Sequence, residues 1–343
     1  MNDANDDLSE PDERPGRPSI ALAIRPDQIE HTPEKITWET VTLTNAALPA
    51  LLRFAAWHLE LGATKVSFYL DQDMPDVERF FAPHPRVAVI PCSPEWWASI
   101  GRERLPAHQN RQAIAATQAY RSAQSQWLCH IDIDEFLLPD TSIADWLATA
   151  PDDMAVLNIA PIEQLAPTEP GDTYHFKMAP RFAGQTGALR ESLYPTFGPY
   201  LRGGYISHLE GKNFARTGFK ALRVGIHSCL FQQKAIANRT RLAGVWLGHA
   251  HAPSWESFAR HLAFRKTQGS YRPQKSGNIG LAQVLDMLES EGENGLKALF
   301  KEVCLAHPDL LAALAAHNML VTRQMPFDTL IQKHFGVSLE DLA

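Results

Sequence analysis

The feature that most constrains the fold of this chain is an alternation of short β-branched segments with helical segments between residues 38 and 140. This alternation favours a mainly parallel sheet with helices on both faces, because each helix carries the chain back across the sheet before the next strand. Ligands of such α/β folds bind at the carboxyl ends of the strands. The predicted strands span 40–44, 64–70, 86–90 and 127–133, and the predicted helices span 48–59, 76–81 and 106–123.

The remainder of the chain is less regular. The polar, Pro-containing segment 1–17 is predicted to be disordered, and residues 18–250 are predicted to form the α/β domain. After a strand near 155–159, the stretch 165–220 is rich in Gly, Pro, Arg and aromatic residues, so we expect long loops there. Residues 251–343 are predicted to form a helical C-terminal region, whose role the sequence leaves open.

Charge and composition disfavour several classes of protein. The chain has 32 Lys and Arg against 39 Asp and Glu, a formal net charge of −7, which disfavours nucleic-acid binding. The four cysteines are widely spaced with no CxxC pair, which predicts reduced thiols rather than zinc ligands or disulfides. The chain begins without an apolar signal segment and has no continuous apolar stretch of about 18 residues. We therefore expect a cytoplasmic protein, either free or held at the inner face of the membrane. The sequence does not indicate its oligomeric state.

Three carboxylates within four residues follow the strand predicted at 127–133. Alternation along a strand places Asp132 and Asp134 on one face, with Glu135 beside them. Mg²⁺ and Mn²⁺ prefer oxygen ligands and commonly bind through one or two carboxylates together with substrate phosphates. The pattern therefore predicts a divalent metal site, although solvated acids that open a turn would give the same string.

The residues around these acids resemble a known family. The segment 127–137 resembles the W-x-x-x-x-D-x-D-E-F motif of bacterial family 2-like glycosyltransferases and of the related DUF23 (family 92) group, and 51–69 resembles their W-x-x-x-H-x-x-L-G helix and strand. Arg111 and Gln112 match a helix just before the acidic strand. The resemblance implies a GT-A (Rossmann-like) fold, a nucleoside-diphosphate-sugar donor and Mn²⁺ or Mg²⁺. The chain departs from the family after the first strand, where Ala46-Ala47 replaces the Asn-Glu pair of many relatives.

The resemblance also implies residues of the donor site. Thr44 is expected beside the nucleotide base, and Asp71 or Asp73 on the nucleoside, although either acid could instead cap the next helix. Arg111 is expected to face the donor phosphates, with an exposed helical arginine as the alternative. Asp132 is expected to contact the ribose or to bind the metal.

The metal shell is expected to include Asp134, Asp132 and a late histidine. His227 is the predicted histidine, and His249 or His251 could compete with it or form a metal pair of their own. A basic run could clamp the diphosphate or an anionic acceptor, or could simply be a solvated face. It consists of Lys212, Arg216, Lys220 and Arg223.

An inverting transfer needs a base for the acceptor hydroxyl, and Glu163 is the predicted base, with Glu210 as the other option. The acceptor is expected to be a saccharide or a glycolipid. The alternative functions are a metal-dependent phosphohydrolase, which also uses clustered acids, and a catalytically inactive protein that binds nucleotide sugars.

Overall fold

A computed structural model of the chain describes residues 35–267, 271 and 280–342. The segment 1–17, predicted to be disordered, and the predicted start of the α/β domain at residue 18 lie outside the described residues. The boundary predicted near residue 250 falls directly after a strand that ends at His249.

The described residues form an alternating series of strands and helices. The strands are β1 (Trp38–Thr44), β2 (Lys65–Leu70), β3 (Val87–Pro91), β4 (Trp127–His130), β5 (Glu135–Pro139), β6 (Val156–Gln164), β7 (Thr173–Lys177), β8 (Lys212–Arg216), β9 (Leu222–Val224), β10 (Cys229–Phe231), β11 (Lys234–Ala235), β12 (Arg239–His249) and β13 (Leu320–Gln324). The helices are α1 (Leu48–Glu60), α2 (Pro75–Phe81), α3 (Pro94–Ser99), α4 (His108–Ser122), α5 (Ile143–Ala148), α6 (Leu189–Leu193), α7 (Trp255–Thr267), α8 (Leu281–Ser290), α9 (Glu293–Val303), α10 (Pro308–Ala316) and α11 (Phe327–Phe335).

A ten-stranded mixed sheet organises the molecule, in the order β13-β7-β6-β8-β4-β1-β2-β3, with β12 beside β6 and β5 beside β12. Strands β3, β2, β1 and β4 pair in parallel. Strand β8 is antiparallel to both β4 and β6, so β6 and its parallel neighbour β12 run in the same direction as β4. Because most strands share this direction, the predicted mainly parallel α/β sheet is confirmed.

Helices cover both faces of the sheet, as predicted. Helix α1 buries Leu51, Leu52 and Phe54 in the larger core, where it also packs on α11. It begins with Pro49 in its first turn and ends before Gly62, whose φ of +95° suits a residue without a Cβ. Helix α4 buries the small residues Ala115 and Ala116 in a second core on the opposite face. A separate three-stranded sheet, β9 to β11, packs beside α4.

Three local predictions differ from the structure. The predicted strand 127–133 ends at His130, and the acids form a turn that leads directly into β5. The stretch 165–220 contains β7, α6 and β8 rather than loops alone. The C-terminal region is mainly helical but contributes β13 to the edge of the main sheet. Within the described residues, no helix is both long and apolar enough to cross a membrane.

Candidate metal and donor site

The predicted metal-binding acids lie in the tight turn between β4 and β5. The Asp132 carbonyl accepts a hydrogen bond from the Glu135 amide at 3.0 Å, and the Asp134 carbonyl accepts one from the Ala250 amide at 2.8 Å. Both carboxylates remain partly accessible, with side-chain exposures of 27% for Asp132 and 41% for Asp134. The turn therefore presents two acids at the carboxyl edge of the sheet, where ligands of α/β folds bind.

A buried lysine on β8 holds Asp132. The Lys212 ammonium lies 2.8 Å from Asp132 Oδ2, and its side chain is completely buried. The other carboxylate oxygen, Oδ1, accepts a hydrogen bond from Gln112 Nε2 at 2.6 Å. Burial acts to raise the pKa of Asp132, but the charge of Lys212 overcomes it, so the pKa lies below its usual value. Asp132 is therefore an ionised acid whose two oxygens already have protein partners.

Glu135 completes this buried charge group. Its Oε2 accepts a hydrogen bond from the Asp132 amide at 2.7 Å and lies 3.6 Å from Lys212 Nζ. Among the described residues, its Oε1 atom has no hydrogen-bond partner and is inaccessible to solvent. Burial raises the pKa of Glu135 above its usual value. Glu135 therefore supports the turn through its bond to the Asp132 amide.

Three histidines, called here the histidine cluster, face the acidic turn: His208, His227 and His249. The His249 Nε2 atom, at the end of β12, lies 3.5 Å from Asp134 Oδ2. Ring centroids are 5.5 Å apart for His208 and His249 and 4.6 Å apart for His208 and His227. His208 thus contacts both His227 and His249, and it is a residue that sequence reasoning missed.

Two members of the histidine cluster, His208 and His227, have the hydrogen bonding expected of metal ligands. His208 Nδ1 donates to the Glu210 carbonyl and His227 Nδ1 donates to the Gly211 carbonyl, each at 3.0 Å, so each Nε2 carries the free lone pair. Burial and nearby positive charge lower the pKa of both rings, which keeps them neutral as metal binding requires. Burial acts to lower the pKa of His249, but Asp134 raises it to about 9.

The donor atoms at this site are a carboxylate and imidazole nitrogens, which are among the atom types that bind divalent cations in proteins. Among the described residues, the Asp134 carboxylate forms an ion pair with His249 alone. Within the same residues, no three His, Cys, Asp or Glu side chains already converge at metal-binding distances. Two or three protein ligands completed by phosphate oxygens and water is the coordination that Mg²⁺ and Mn²⁺ commonly adopt.

The predicted donor residues Asp71 and Arg111 lie together at the end of β2. Arg111 donates from Nε and Nη2 to the two oxygens of Asp71, at 2.8 and 2.6 Å, and Arg104 and His108 also contact this carboxylate. Burial acts to raise the pKa of Asp71, but the hydrogen bonds from His108 and Arg111 lower it below its usual value. The charges of Asp71 and Arg111 therefore compensate each other. The Arg111 guanidinium also donates hydrogen bonds to the carbonyls of residues 105 and 106.

Two further predicted donor contacts lie close to this pair. Thr44 is buried at the end of β1, where its carbonyl accepts a hydrogen bond from the Asp71 amide at 2.9 Å. Asp73 is exposed on the loop after β2. The strand ends thus bring Thr44, Asp71 and Asp73 to one edge, while the nucleoside contacts predicted for them stay a prediction.

The predicted base, Glu163, forms a buried ion pair. Its Oε1 lies 3.0 Å from Lys177 Nζ, and the two side chains are 2% and 1% exposed. Both carboxylate oxygens also accept backbone hydrogen bonds, from the amides of Ile206 and Ser207. Burial acts to raise the pKa of Glu163, but Lys177 and these bonds lower it. The base role stays a prediction, and an acid so fully bonded is poorly disposed to accept a proton.

The alternative acid, Glu210, lies on a cleft. Its side chain is 24% exposed and forms an ion pair with Arg202 at 3.3 Å. The cleft has a volume of about 330 Å³ and is also lined by His227, so Glu210 and His227 share one opening. Its wall consists of Gln109, Asn110, Ala113, Glu210, Ile226, His227, Ser228 and Arg239.

The remaining sequence candidates are dispersed. His251 lies beside His249, with ring centroids 5.0 Å apart, but its Nε2 is 2.9 Å from the Tyr271 hydroxyl. Arg216 lies over the Trp127 ring at 4.5 Å, and Lys220 and Arg223 are exposed, so the basic run does not gather at one point. No local sequence signal identifies His208 or the role of Lys212, since both depend on contacts with residues far away in the chain.

Comparisons with known proteins give weak similarities. No protein-family model and no curated protein matches the chain. TarS 1–349 from Staphylococcus aureus aligns over 87% of this chain and 90% of its own, at 11% identity and a TM-score of 0.33. Glucosyl-3-phosphoglycerate synthase from Mycobacterium tuberculosis, solved with Mn²⁺ and UDP, aligns over 70% and 82%, at 13% identity and a TM-score of 0.30.

A third structure, HddC from Yersinia pseudotuberculosis, aligns over 42% of this chain at 9% identity and a TM-score of 0.26. The aligned part spans 62% of HddC, less than two thirds of its length. Scores in this range carry no argument about activity. The α/β architecture is established by the sheet itself.

Proposed function

We propose that this protein is a metal-dependent glycosyltransferase of the GT-A type, which moves a sugar from a nucleoside diphosphate to an acceptor. One observation carries the proposal: Asp134 pairs with His249 at the carboxyl edge of the sheet, with Asp132 in the same turn and His208 beside His249. This edge of an α/β sheet is where nucleotides bind, and the donor atoms suit a cation that also holds phosphate. The motif resemblance of segment 127–137 points to the same activity.

Asp134 and His249 would hold Mn²⁺ or Mg²⁺, with His227 or His208 as a further ligand. The metal would stabilise the negative charge that develops on the departing nucleoside diphosphate. Lys212 orients Asp132, which is then directed towards the ribose or a metal-bound water rather than serving as the main metal ligand. Lys212 itself is fully buried, so its role is to position Asp132 and to balance its charge.

Thr44 and the exposed Asp73 are proposed to contact the nucleoside. The Asp71–Arg111 pair is proposed to fix the end of β2 and the start of α4 around the base, so that both elements form one wall of the donor site.

For an inverting reaction, Glu210 is a better base than Glu163. Glu210 lies on the open cleft beside His227, whereas Glu163 is enclosed by Lys177 and backbone amides.

Transfer is distinguished from hydrolysis by product analysis. The protein would be incubated with UDP-sugars and GDP-sugars, with and without Mn²⁺, in the presence of a panel of alkyl glycosides. We expect mass spectrometry to detect an alkyl glycoside enlarged by one sugar, only with Mn²⁺ and not in the Asp134→Ala variant. Release of nucleotide or free sugar at the same rate in water alone, with no enlarged glycoside, would instead support the phosphohydrolase alternative.

A further inference from the structure

A second concave site lies along the outer face of α4. It is a groove of about 320 Å³ between α4 and the small sheet that contains β9 and β10. Small-molecule sites commonly begin at about 300 Å³, so the groove is large enough to hold a ligand. We call it the arginine groove; its wall is formed by Arg102, Leu105, Asn110, Ala113, Ile114, Thr117, Gln118, Arg121, Arg223, Val224, Gly225, Ser228 and Leu230.

The floor of the arginine groove is apolar in character. Its polar atoms are largely used within the protein, since the Thr117 hydroxyl donates to the Val224 carbonyl and accepts from the Val224 amide. The Gly225 carbonyl accepts a hydrogen bond from His130 Nδ1 at 3.0 Å. What the floor offers a ligand is mainly the apolar surface of Ile114, Leu230 and their neighbours, while the wall also carries the polar side chains of Asn110, Gln118 and Ser228.

The rim of the groove carries three exposed guanidinium groups, on Arg102, Arg121 and Arg223. Within the described part of the chain, none of the three forms an ion pair with a carboxylate; Arg223 bonds only the Gln233 amide oxygen, at 3.3 Å. By contrast, the neighbouring Arg104 and Arg111 both pair with Asp71. The three arginines therefore give the rim of the apolar groove a local positive charge, although the formal net charge of the chain is −7.

Two of these arginines flank one point of the groove. Arg121 lies one helical turn after Thr117 on α4, and Arg223 directly precedes Val224, the residue to which Thr117 is hydrogen-bonded. Guanidinium groups bind phosphate through paired N–H donors. The apolar floor, beginning with Ile114, continues from this point towards Ala113 and the other end of the groove.

We propose that the arginine groove binds a single-chain amphipathic phosphate. The phosphate head lies between Arg121 and Arg223, and the alkyl chain lies on the apolar floor along α4. Charge complementarity and the apolar floor together select this class, because inorganic phosphate lacks the chain and a neutral detergent lacks the charge. The site lies outside the acidic turn and does not depend on the proposed transferase activity.

The test is a calorimetric titration of the full chain with decyl phosphate below its micelle-forming concentration, without metal or nucleotide. We expect decyl phosphate to bind, and decyl maltoside and inorganic phosphate to bind at least tenfold more weakly. Shortening the chain by two methylenes should weaken binding roughly tenfold if those groups are buried. Equal affinity for decyl maltoside would overturn the proposal, since the arginines would then contribute nothing.

Substitutions locate the head group. Arg223→Gln and Arg121→Gln should each weaken decyl phosphate binding about tenfold, because each removes a charged hydrogen-bond donor. Arg79→Gln is the matched control, since Arg79 is an equally exposed arginine on α2. Wild-type affinity in both groove variants would overturn the assignment.

Competition with UDP or GDP in the presence of Mn²⁺ separates this groove from the donor site. Displacement of decyl phosphate would assign the groove to the donor site instead. If the nucleotides fail to bind at all, the binding of decyl phosphate to the groove is unaffected.

Discussion

Individual side chains at the acidic edge of the sheet differ in how their charge is compensated. Asp71 and Asp132 are both held by basic partners, whereas Asp134 pairs with His249 and remains more accessible. The sequence motif singled out all three acids as candidates. It could not distinguish them, because Lys212 lies 80 positions from Asp132 and Arg111 lies 40 positions from Asp71. The partner that compensates the charge of each acid is set by the folded structure and not by the adjacent sequence.

The Asp71–Arg111 pair predicts a pH-dependent contribution to stability. Asp71→Asn should lower the free energy of unfolding by about 2 kcal/mol at pH 7, since charged hydrogen bonds from Arg111 are lost. The pKa of Asp71 is lower in the folded than in the unfolded state, so its contribution is present above about pH 4 and is lost as the pH falls below that value. Urea denaturation should therefore show the difference between variant and wild type shrinking from pH 5 towards pH 2.

The groups that face Asp71 are Arg104, His108 and Arg111. The control is Asp76→Asn, because Asp76 and its partner Arg79 are exposed and should contribute less than about 1 kcal/mol. A loss that is equally large at pH 2 and pH 7 would show that Asp71 acts through its shape and not through its charge.

Lys212 predicts a non-additive double substitution. Lys212→Met should cost about 3–5 kcal/mol of unfolding free energy, because it leaves Asp132 and Glu135 without their buried cation. Adding Asp132→Asn should recover part of that loss, since one uncompensated charge is removed. The unfolding free energies of the two single variants and the double variant would be measured in urea.

Lys333→Met provides the comparison for Lys212, because Lys333 forms an exposed pair with Glu60 and its loss should cost less than about 1 kcal/mol. Strict additivity of Lys212→Met and Asp132→Asn would mean that these two residues do not act as a pair.

At the level of elements, the sequence predicted the parallel half of the sheet well. Strands β1, β2 and β3 and helices α1, α2 and α4 fall within a few residues of their predicted positions. Their signals are local, because apolar periodicity, Pro49 and Gly62 all act within one element. Strand β8 was missed because its sequence, Lys-Asn-Phe-Ala-Arg, is polar, and its stability comes from pairing with both β4 and β6.

The antiparallel pairing of β8 with β6 brings the residue before β8 so close to β6 that it must be glycine. A Cβ at Gly211 would lie 1.8 Å from the Ile159 carbonyl oxygen, a backbone atom that cannot move without displacing β6. Gly211→Ala should therefore reduce the unfolding free energy by about 2–3 kcal/mol. It should also disturb His227, whose Nδ1 donates to the Gly211 carbonyl.

Urea denaturation measures the first effect. Gly171→Ala is the matched control, because a Cβ there meets nothing within 4 Å and should change stability by less than about 0.5 kcal/mol. If Gly211→Ala were as harmless as Gly171→Ala, the close approach of β8 to β6 would not exist in solution.

On the scale of the whole molecule, the C-terminal region is built into the α/β core. Strand β13 pairs with β7, and α11 packs on α1. Phe327 is 6% exposed, and its ring lies 5.3 Å from that of Phe136 and 6.1 Å from that of Trp57. The helical periodicity of this region was readable from the sequence, but its edge strand was not, because the partner strand lies about 150 residues earlier.

Phe327→Ala should therefore destabilise the entire domain, by about 3–5 kcal/mol, within a single cooperative unfolding transition. The control is Phe264→Ala, because Phe264 is 53% exposed and its loss should cost little. Fluorescence and circular dichroism should give coincident transitions in urea. Separate transitions, with only the earlier one shifted by Phe327→Ala, would show that the C-terminal region folds independently of the sheet.

Asp134 and the histidine cluster are proposed to bind a divalent cation together with a nucleoside diphosphate. Calorimetric titration of UDP and GDP, with and without Mn²⁺, tests it in the wild type, in Asp134→Ala and in the exposed control Asp309→Ala. We predict that one of these nucleotides binds only with Mn²⁺, that Asp134→Ala weakens this binding at least tenfold, and that Asp309→Ala leaves it unchanged. Binding that is equally tight without metal, or unaffected by Asp134→Ala, would contradict the account.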